Sequence, residues 1–241
     1  MYLIKPHIIG HRGACGYAPE NTEVSFRSAQ ELGVKWVEFD VMLGKCGEAV
    51  VIHDTTVDRT TNGKGPVIDY SLAELQQLDA GEWFDKNFRG EKIPRFIDVM
   101  KFLQQYGMHA VIEMKPYPGY EKQTAETIFK LLTNSFNLTQ QIVSSFSLPS
   151  LQRARVLSSD VHLGLGVHEW NFNWEGVARD LHCQSIHINH KILTPEKILT
   201  IKSNGFEVFA YTVNDLSRAK ELFSWGVDAI FSDYPDKFQN L

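Results

Sequence analysis

Short apolar runs of strand type alternate with helix-like stretches from one end of the chain to the other, and that alternation leaves few folds open. Runs near 7–11, 36–42, 49–53, 110–115, 141–146, 161–166, 185–189, 207–213 and 228–232 read as strands. Helical patterns fit near 21–33, 71–78, 95–106, 120–134, 148–158, 174–182, 195–204 and 215–225. The stretch 21–33 opens at Asn21-Thr22, a capping signal, and closes at Gly33, with Phe26, Ala29 and Gly33 on one face. Repeated βα units predict a parallel sheet, but nine strands is one too many for an eight-stranded barrel. The segment DVMLGKCGEAVVIHD resolves the count, because its two extended runs meet around Lys45-Cys46-Gly47 as a hairpin. A strand that leaves the barrel mouth and returns antiparallel brings His53 back beside Asp40. The eight remaining units have the length and rhythm of a TIM (β/α)8 barrel, an α/β fold formed as one domain over 1–241. The turn-rich stretch 54–94 reads as a small insertion over the mouth, between the second barrel strand and its following helix.

Titratable side chains sit where the apolar runs end: His11, Glu38 with Asp40, His53, and Glu113. Active sites of such barrels lie at the C-terminal ends of the strands, and these residues all fall there or are delivered there by the hairpin. Glu38 and Asp40 are two apart on a strand and share a face, with Val37, Phe39 and Val41 on the other. Burying such carboxylates costs several kcal/mol per ion, of order, unless something compensates. An all-carboxylate set suits one hard divalent cation, Mg²⁺ or Ca²⁺, and the same oxygen donors accept either. Two imidazoles beside it suit hydrolysis of a phosphate ester, one taking a proton from the attacking hydroxyl or water and the other protonating the leaving oxygen. Arg12 and Lys115 add positive charge for phosphate, and Lys115 shares the face of Glu113.

These residues stand in motifs that resemble the glycerophosphodiester phosphodiesterases over nearly the whole chain. The motifs are His11-Arg12-Gly13, Pro19-Glu20-Asn21-Thr22, Glu38-Phe39-Asp40-Val41, His53-Asp54, Asp58-Arg59-Thr60-Thr61-Asn62-Gly63, Glu113-Met114-Lys115, Ser144-Ser145-Phe146, Tyr211-Thr212-Val213-Asn214 and Ser232-Asp233-Tyr234-Pro235. The resemblance implies hydrolysis of glycerophosphodiesters such as glycerophosphocholine or glycerophosphoethanolamine to sn-glycerol 3-phosphate and an alcohol. It implies His11 and His53 as the acid/base pair, Glu38, Asp40 and Glu113 as metal ligands, and Arg12 and Lys115 as phosphate contacts. Phe146 and Tyr211 enter as further substrate contacts. The chain departs from the family at the hairpin turn, Gly44-Lys45-Cys46-Gly47, at Tyr211 where Trp is usual, and at Ser232 where Thr is usual. The last two changes bear on pocket shape and alcohol preference. A lysophospholipase D-type phosphodiesterase and a non-catalytic barrel that binds phosphate ligands are the alternatives.

The bulk properties exclude other classes. A net charge of −5 points to no nucleic-acid partner, and neither a membrane-length apolar run nor a basic anchor points to stable membrane association. Cys15, Cys46 and Cys183 show no CxxC spacing, so neither a zinc site nor a disulfide framework is expected, and a reducing, cytoplasmic setting is the default. The string of Gly10, Gly13 and Gly16 is not the dinucleotide fingerprint. Oligomeric state leaves no trace. Asn21 reads as a helix cap first, and Glu20 as a supporting hydrogen-bond partner. Among the nine histidines, His7, His109, His162 and His182 read as structural, while His168, His187 and His190 stay open. Trp170, Phe172 and Trp174 read as rim packing in the first instance, and as an apolar wall with Phe146 in the second.

Overall fold

The computed structural model describes residues 6–170, 173–238 and 241. Nine strands form one sheet: β1 (Ile8–Gly10), β2 (Trp36–Leu43), β3 (Ala49–Val51), β4 (His109–Met114), β5 (Ile142–Ser145), β6 (His162–Val167), β7 (Ser185–Asn189), β8 (Glu207–Tyr211) and β9 (Ala229–Ser232). All but β3 run parallel, and the pairing of β1 with both β9 and β2 closes them into an eight-stranded barrel. β3 returns antiparallel along β2, with Val41 opposite Val51 and Leu43 opposite Ala49. The hairpin expected from the strand count is therefore present. Between the strands lie α1 (Glu23–Glu31), α2 (Leu72–Leu75), α3 (Phe96–Gln105), α4 (Glu121–Ser135), α5 (Leu148–Leu157), α6 (Trp174–Asp180), α7 (Pro195–Ser203) and α8 (Leu216–Ser224).

The side-chain period of two along a strand builds two cores at once. Val37, Phe39 and Val41 face outward into the layer under the helices, where Phe26, Ala29, Phe96 and Val99 meet them. Each of these phenylalanines contributes about 1.5–3 kcal/mol by leaving water. Trp36 faces inward and fills the closed end of the barrel with Ile9, Val111, Ile142, Phe209, Ala229 and Phe231. Glu38 and Asp40 lie on the same inward face, further toward the mouth.

Some elements are shorter than the apolar pattern suggests, because ladder pairing stops where the mouth loops turn away. β1 ends at Gly10, β3 at Val51 and β8 at Tyr211, so His11, His53 and Thr212 sit just beyond their strands. The helix expected over 71–78 is α2 alone, which opens with a capping box from Ser71 and Glu74. Beyond it the Gln77 and Leu78 amides turn to the carbonyls of Glu74 and Leu75, three residues back, and the helix ends. The stretch 54–94 has its own small core, in which Val57, Val67, Leu75, Ala80 and Ile93 pack against Met42, Val50 and Ile52 of the hairpin region. Among the described residues no helix is long and apolar enough to cross a membrane.

Candidate active site

The chain reverses sharply as it leaves β1, with Arg12 at φ 51° and Gly13 at φ 92°. A side chain at Gly13 would run into the Ser25 backbone and hydroxyl, so the turn needs glycine for space as well as for conformation. The turn aims the Arg12 amide at Glu38 Oε2, 3.0 Å away. It also lets the Arg12 side chain reach Glu20, with Nη1 2.6 Å from Oε1, and come within 3.5 Å of Asp40 Oδ2. Arg12 Nε is buried and has no hydrogen-bond partner among the described residues. The next residues correct one reading: Thr22, not Asn21, is the N-cap of α1. Asn21 instead adopts φ 58° and donates its side-chain amide to Asp40 Oδ2 at 2.8 Å.

Glu38, Asp40 and Glu113 converge from β2 and β4, and one carboxylate oxygen from each lies within 4.8 Å of the others. Asp40 is 1% exposed and Glu38 4%. Burial, then the Asp40 and Glu113 charges, push the Glu38 carboxyl well above the ordinary carboxylate range. Burial, with Asp40 beside it, lifts Glu113 to about 7 despite Lys115. Burial would raise Asp40 too, but Arg12, His53 and Lys115 together outweigh it and hold this carboxyl low. Three acids crowded in a dry site thus share two side-chain cations, Arg12 and Lys115. The donor set is all oxygen, with Glu38 and Asp40 buried and Glu113 partly so, and a hard divalent cation is the kind of ion that relieves such repulsion.

Each of the two histidines is held by its own carboxylate. His11 Nδ1 lies 2.7 Å from Asp233 Oδ1, and His53 Nδ1 lies 2.6 Å from Asp54 Oδ1. Asp233 is further fixed by Cys15, whose thiol donates to Oδ1 at 3.0 Å, and by Asn214, whose amide donates to Oδ2 at 2.6 Å. Burial acts against the ionised form of Asp233, but these donors and His11 prevail, so its carboxyl stays well below the usual range. Asp54 is held down first by Arg59, then by His53. An ionised carboxylate only accepts, so both imidazoles donate from Nδ1 and leave Nε2 for other work. His53 Nε2 lies 3.1 Å from Lys115 Nζ. Burial lowers the His53 pKa, and the Lys115 and Arg12 charges add to that against the pull of Asp40.

One cavity of about 170 Å³ brings together His11, Arg12, Glu38, Asp40, His53, Glu113 and Lys115. Phe146 and Tyr211 line it too, their rings edge to face at 5.7 Å. The Tyr211 hydroxyl donates to the Val167 carbonyl at 3.2 Å. Of the open histidines, His168 stacks on Phe146 at the cavity wall and His187 lies at its floor, while His190 sits outside beside Arg218. Trp170 and Trp174 pack on each other, with Trp174 buried in the main core against Phe206, and neither lines the cavity, so the apolar wall falls to Phe146, Tyr211 and His168 instead; Phe172 lies outside the described residues. A wider groove opens beside the cavity, sharing His53, Glu113, Lys115, Phe146 and His168 and continuing past Thr55, Pro116 and Glu121. Sequence reasoning named neither Asp54, Asp233 nor Asn214 as partners of the histidines. Their only signal was position, immediately after His53 or within the late motifs.

Residues 11–237 match the Glycerophosphoryl diester phosphodiesterase family. The chain belongs to that family. It is accordingly a phosphoric diester hydrolase. It is 35% identical to a glycerophosphodiester phosphodiesterase of Caldanaerobacter subterraneus, over 99% of this chain and 98% of the relative. A Bacillus subtilis glycerophosphodiester phosphodiesterase is 32% identical, over 97% of this chain and 85% of its own length. Among solved structures, an Oleispira antarctica phosphodiesterase in complex with the product sn-glycerol-3-phosphate superimposes with a TM-score of 0.94 at 38% identity, covering 98% of this chain and 96% of that one.

Proposed function

We propose that this member of the family hydrolyses glycerophosphodiesters such as glycerophosphocholine and glycerophosphoethanolamine to sn-glycerol 3-phosphate and an alcohol. One divalent cation, Mg²⁺ or Ca²⁺, is held by Glu38, Asp40 and Glu113, and His11 and His53 are the acid/base pair. The observation that carries this reading is that two histidines, each backed by its own carboxylate, line the same small cavity as three mutually repelling acids. The product complex of the Oleispira relative supports the phosphoglycerol half of the substrate.

Arg12 and Lys115 take the charge of the phosphate, the guanidinium by its fork and the ammonium as a point charge. Phe146 and Tyr211 pack against the glycerol carbons. Held by Glu38, Asp40 and Glu113, a divalent cation would supply Lewis-acid polarisation of the phosphate and offset developing charge. His11 lines only the inner cavity, whereas His53 lines both the cavity and the groove. His11 Nε2 therefore takes the proton of the attacking hydroxyl or water, and His53 Nε2 protonates the alcohol that leaves through the groove. Asp233 holds His11 in the Nδ1–H tautomer with Nε2 open to accept, and Asp54 favours the doubly protonated His53 whose Nε2–H the acid step needs.

The test is a metal-stripped preparation titrated with Mg²⁺ and with Ca²⁺ while glycerol 3-phosphate release is followed from several diesters. Activity must appear with one of the two ions and on a soluble diester. Turnover that is indifferent to chelation removes the metal from the reading. Faster release from long-chain lysophosphatidylcholine than from glycerophosphocholine moves the substrate to lysophospholipids.

A further inference from the structure

Arg59 belongs to the insertion after β3 and lines neither the cavity nor the groove, yet two arms of the site meet on it. Its Nη1 and Nη2 donate to the two oxygens of Glu20 at 2.7 and 2.8 Å. Its Nε and Nη2 donate to the two oxygens of Asp54 at 2.7 and 3.0 Å. Each carboxylate has a second partner inside the site. Glu20 also accepts from Arg12, and Asp54 also accepts from His53 Nδ1. One planar cation thus sits at the centre of a chain that runs from Arg12 through Glu20, Arg59 and Asp54 to His53.

We infer that Arg59 is a positioning residue that fixes the spacing between the phosphate-contacting Arg12 and the proton-transferring His53, while touching neither substrate nor metal. The inference rests on the roles just proposed for those two residues. Without Arg59, Glu20 keeps a single partner and Asp54 is free to rotate away from the imidazole. Glu20 is only 11% exposed, so it does not simply turn out into water. Arg59 itself is 44% exposed, so its ion pairs are partly screened and their worth to overall stability is small. What the arrangement supplies is direction: a guanidinium offers two edges at a fixed angle, each edge matched to one carboxylate. An ammonium offers one point and cannot span both. The insertion thereby becomes a part of the site that closes it from the outside, joining the loop after β1 to the end of the hairpin.

The experiment uses the full chain with its cation and glycerophosphocholine, and compares Arg59→Ala and Arg59→Lys with the unaltered protein. Partners that orient a reacting group typically account for about 10- to 100-fold. Arg59→Ala is expected to lose kcat in that range with KM changed by no more than a few-fold, and Arg59→Lys to recover only a small part. Guanidinium ion at tens of millimolar, far below denaturing levels, is expected to restore a measurable share of the Arg59→Ala turnover and to leave Arg59→Lys unchanged. A thermal melt of each variant runs in parallel. Arg59→Ala turnover within threefold of the unaltered protein overturns the inference. So does a loss that guanidinium leaves untouched in a variant that melts at the unaltered temperature, and so does a loss that follows a lowered melting temperature. His53→Ala separates the two levels: if that variant keeps its turnover the proposed mechanism fails, whereas a dead His53→Ala beside an unrescued Arg59→Ala sinks only the role of Arg59.

Discussion

The two ends of the barrel interior are made by the same strands on the same face, and burial means opposite things at each. Ile9, Trp36, Val111, Ile142 and Phe209 fill the closed end. Two residues further along each strand, or just past its end, the same face presents His11, Glu38, Glu113, Ser144 and Tyr211 to the cavity. The closed end is at rest: apolar groups out of water, in contact with one another. Where the two ends meet, burial pushes His187 down to about 3, and it stays neutral against Phe209. The open end is not at rest. Its three acids outnumber the two side-chain cations beside them, and burial with mutual repulsion lifts Glu38 and Glu113 above the ordinary carboxylate range.

The sharpest way to break the comparison is to remove the imidazoles. His11→Ala or His53→Ala is expected to cost about 10²–10⁴ in kcat on glycerophosphocholine, the range for general acid/base groups, with little change in melting temperature. Activity within tenfold in either variant would mean that the open end does not work by paired proton transfer. Asp233→Asn comes next. It keeps the shape but removes the charge that fixes the His11 tautomer, and about 10–100-fold in kcat is expected to go with it. An equal loss of melting temperature and turnover would instead make Asp233 a structural tie.

The apolar end was legible in the sequence because a period of two in short runs has a direct physical meaning. Glu38, Asp40 and Glu113 were legible for the inverse reason, being charges inside runs that otherwise read as buried. The hairpin was found by the count of strands. What stayed hidden was set by contacts across the chain. Asp233 meets His11 across 222 residues, and nothing in a one-dimensional pattern distinguishes it from any polar residue that ends a strand. Asn21 was misread because Asn before Thr is a natural cap; only its left-handed backbone turns the amide toward Asp40. His187 stayed open because position within a strand gives the face but not how far from the mouth the cavity reaches.

A smaller effect follows from the raised acids, and its sign can be worked out. In the metal-free protein Glu113 titrates near 7 rather than its usual 4.5, and Glu38 also lies above that value. Through that window these two groups bind more protons in the folded chain than in the unfolded one, so their contribution to stability falls as pH rises. Asp40, Asp54 and Asp233, all held low, act the other way only at pH below their ordinary range. His187, pushed down to about 3, and His53, also lowered, act the other way inside the window, because the unfolded imidazoles bind protons that the folded ones do not. The cation isolates the carboxylates from the imidazoles: added Mg²⁺ or Ca²⁺ is expected to raise the melting temperature of chelated protein more at pH 7.5 than at pH 5. A melting temperature that does not respond to the cation at pH 7.5 would count against the repulsion argued for the open end.

The mildest test lies at the other end of the same strands. Ile142→Val removes one methylene from the closed end, two residues before Ser144 on β5. The loss should be about 0.5–1.5 kcal/mol of stability, because neighbours around such a site relax only in part. Ile142 lines neither the cavity nor the groove, so kcat and KM should stay within twofold. That pairing of a measurable stability loss with unchanged turnover is what separates the two ends. A fall in kcat larger than the fall in stability would mean that packing under the floor sets the height of the carboxylates above it, and that the two ends work as one.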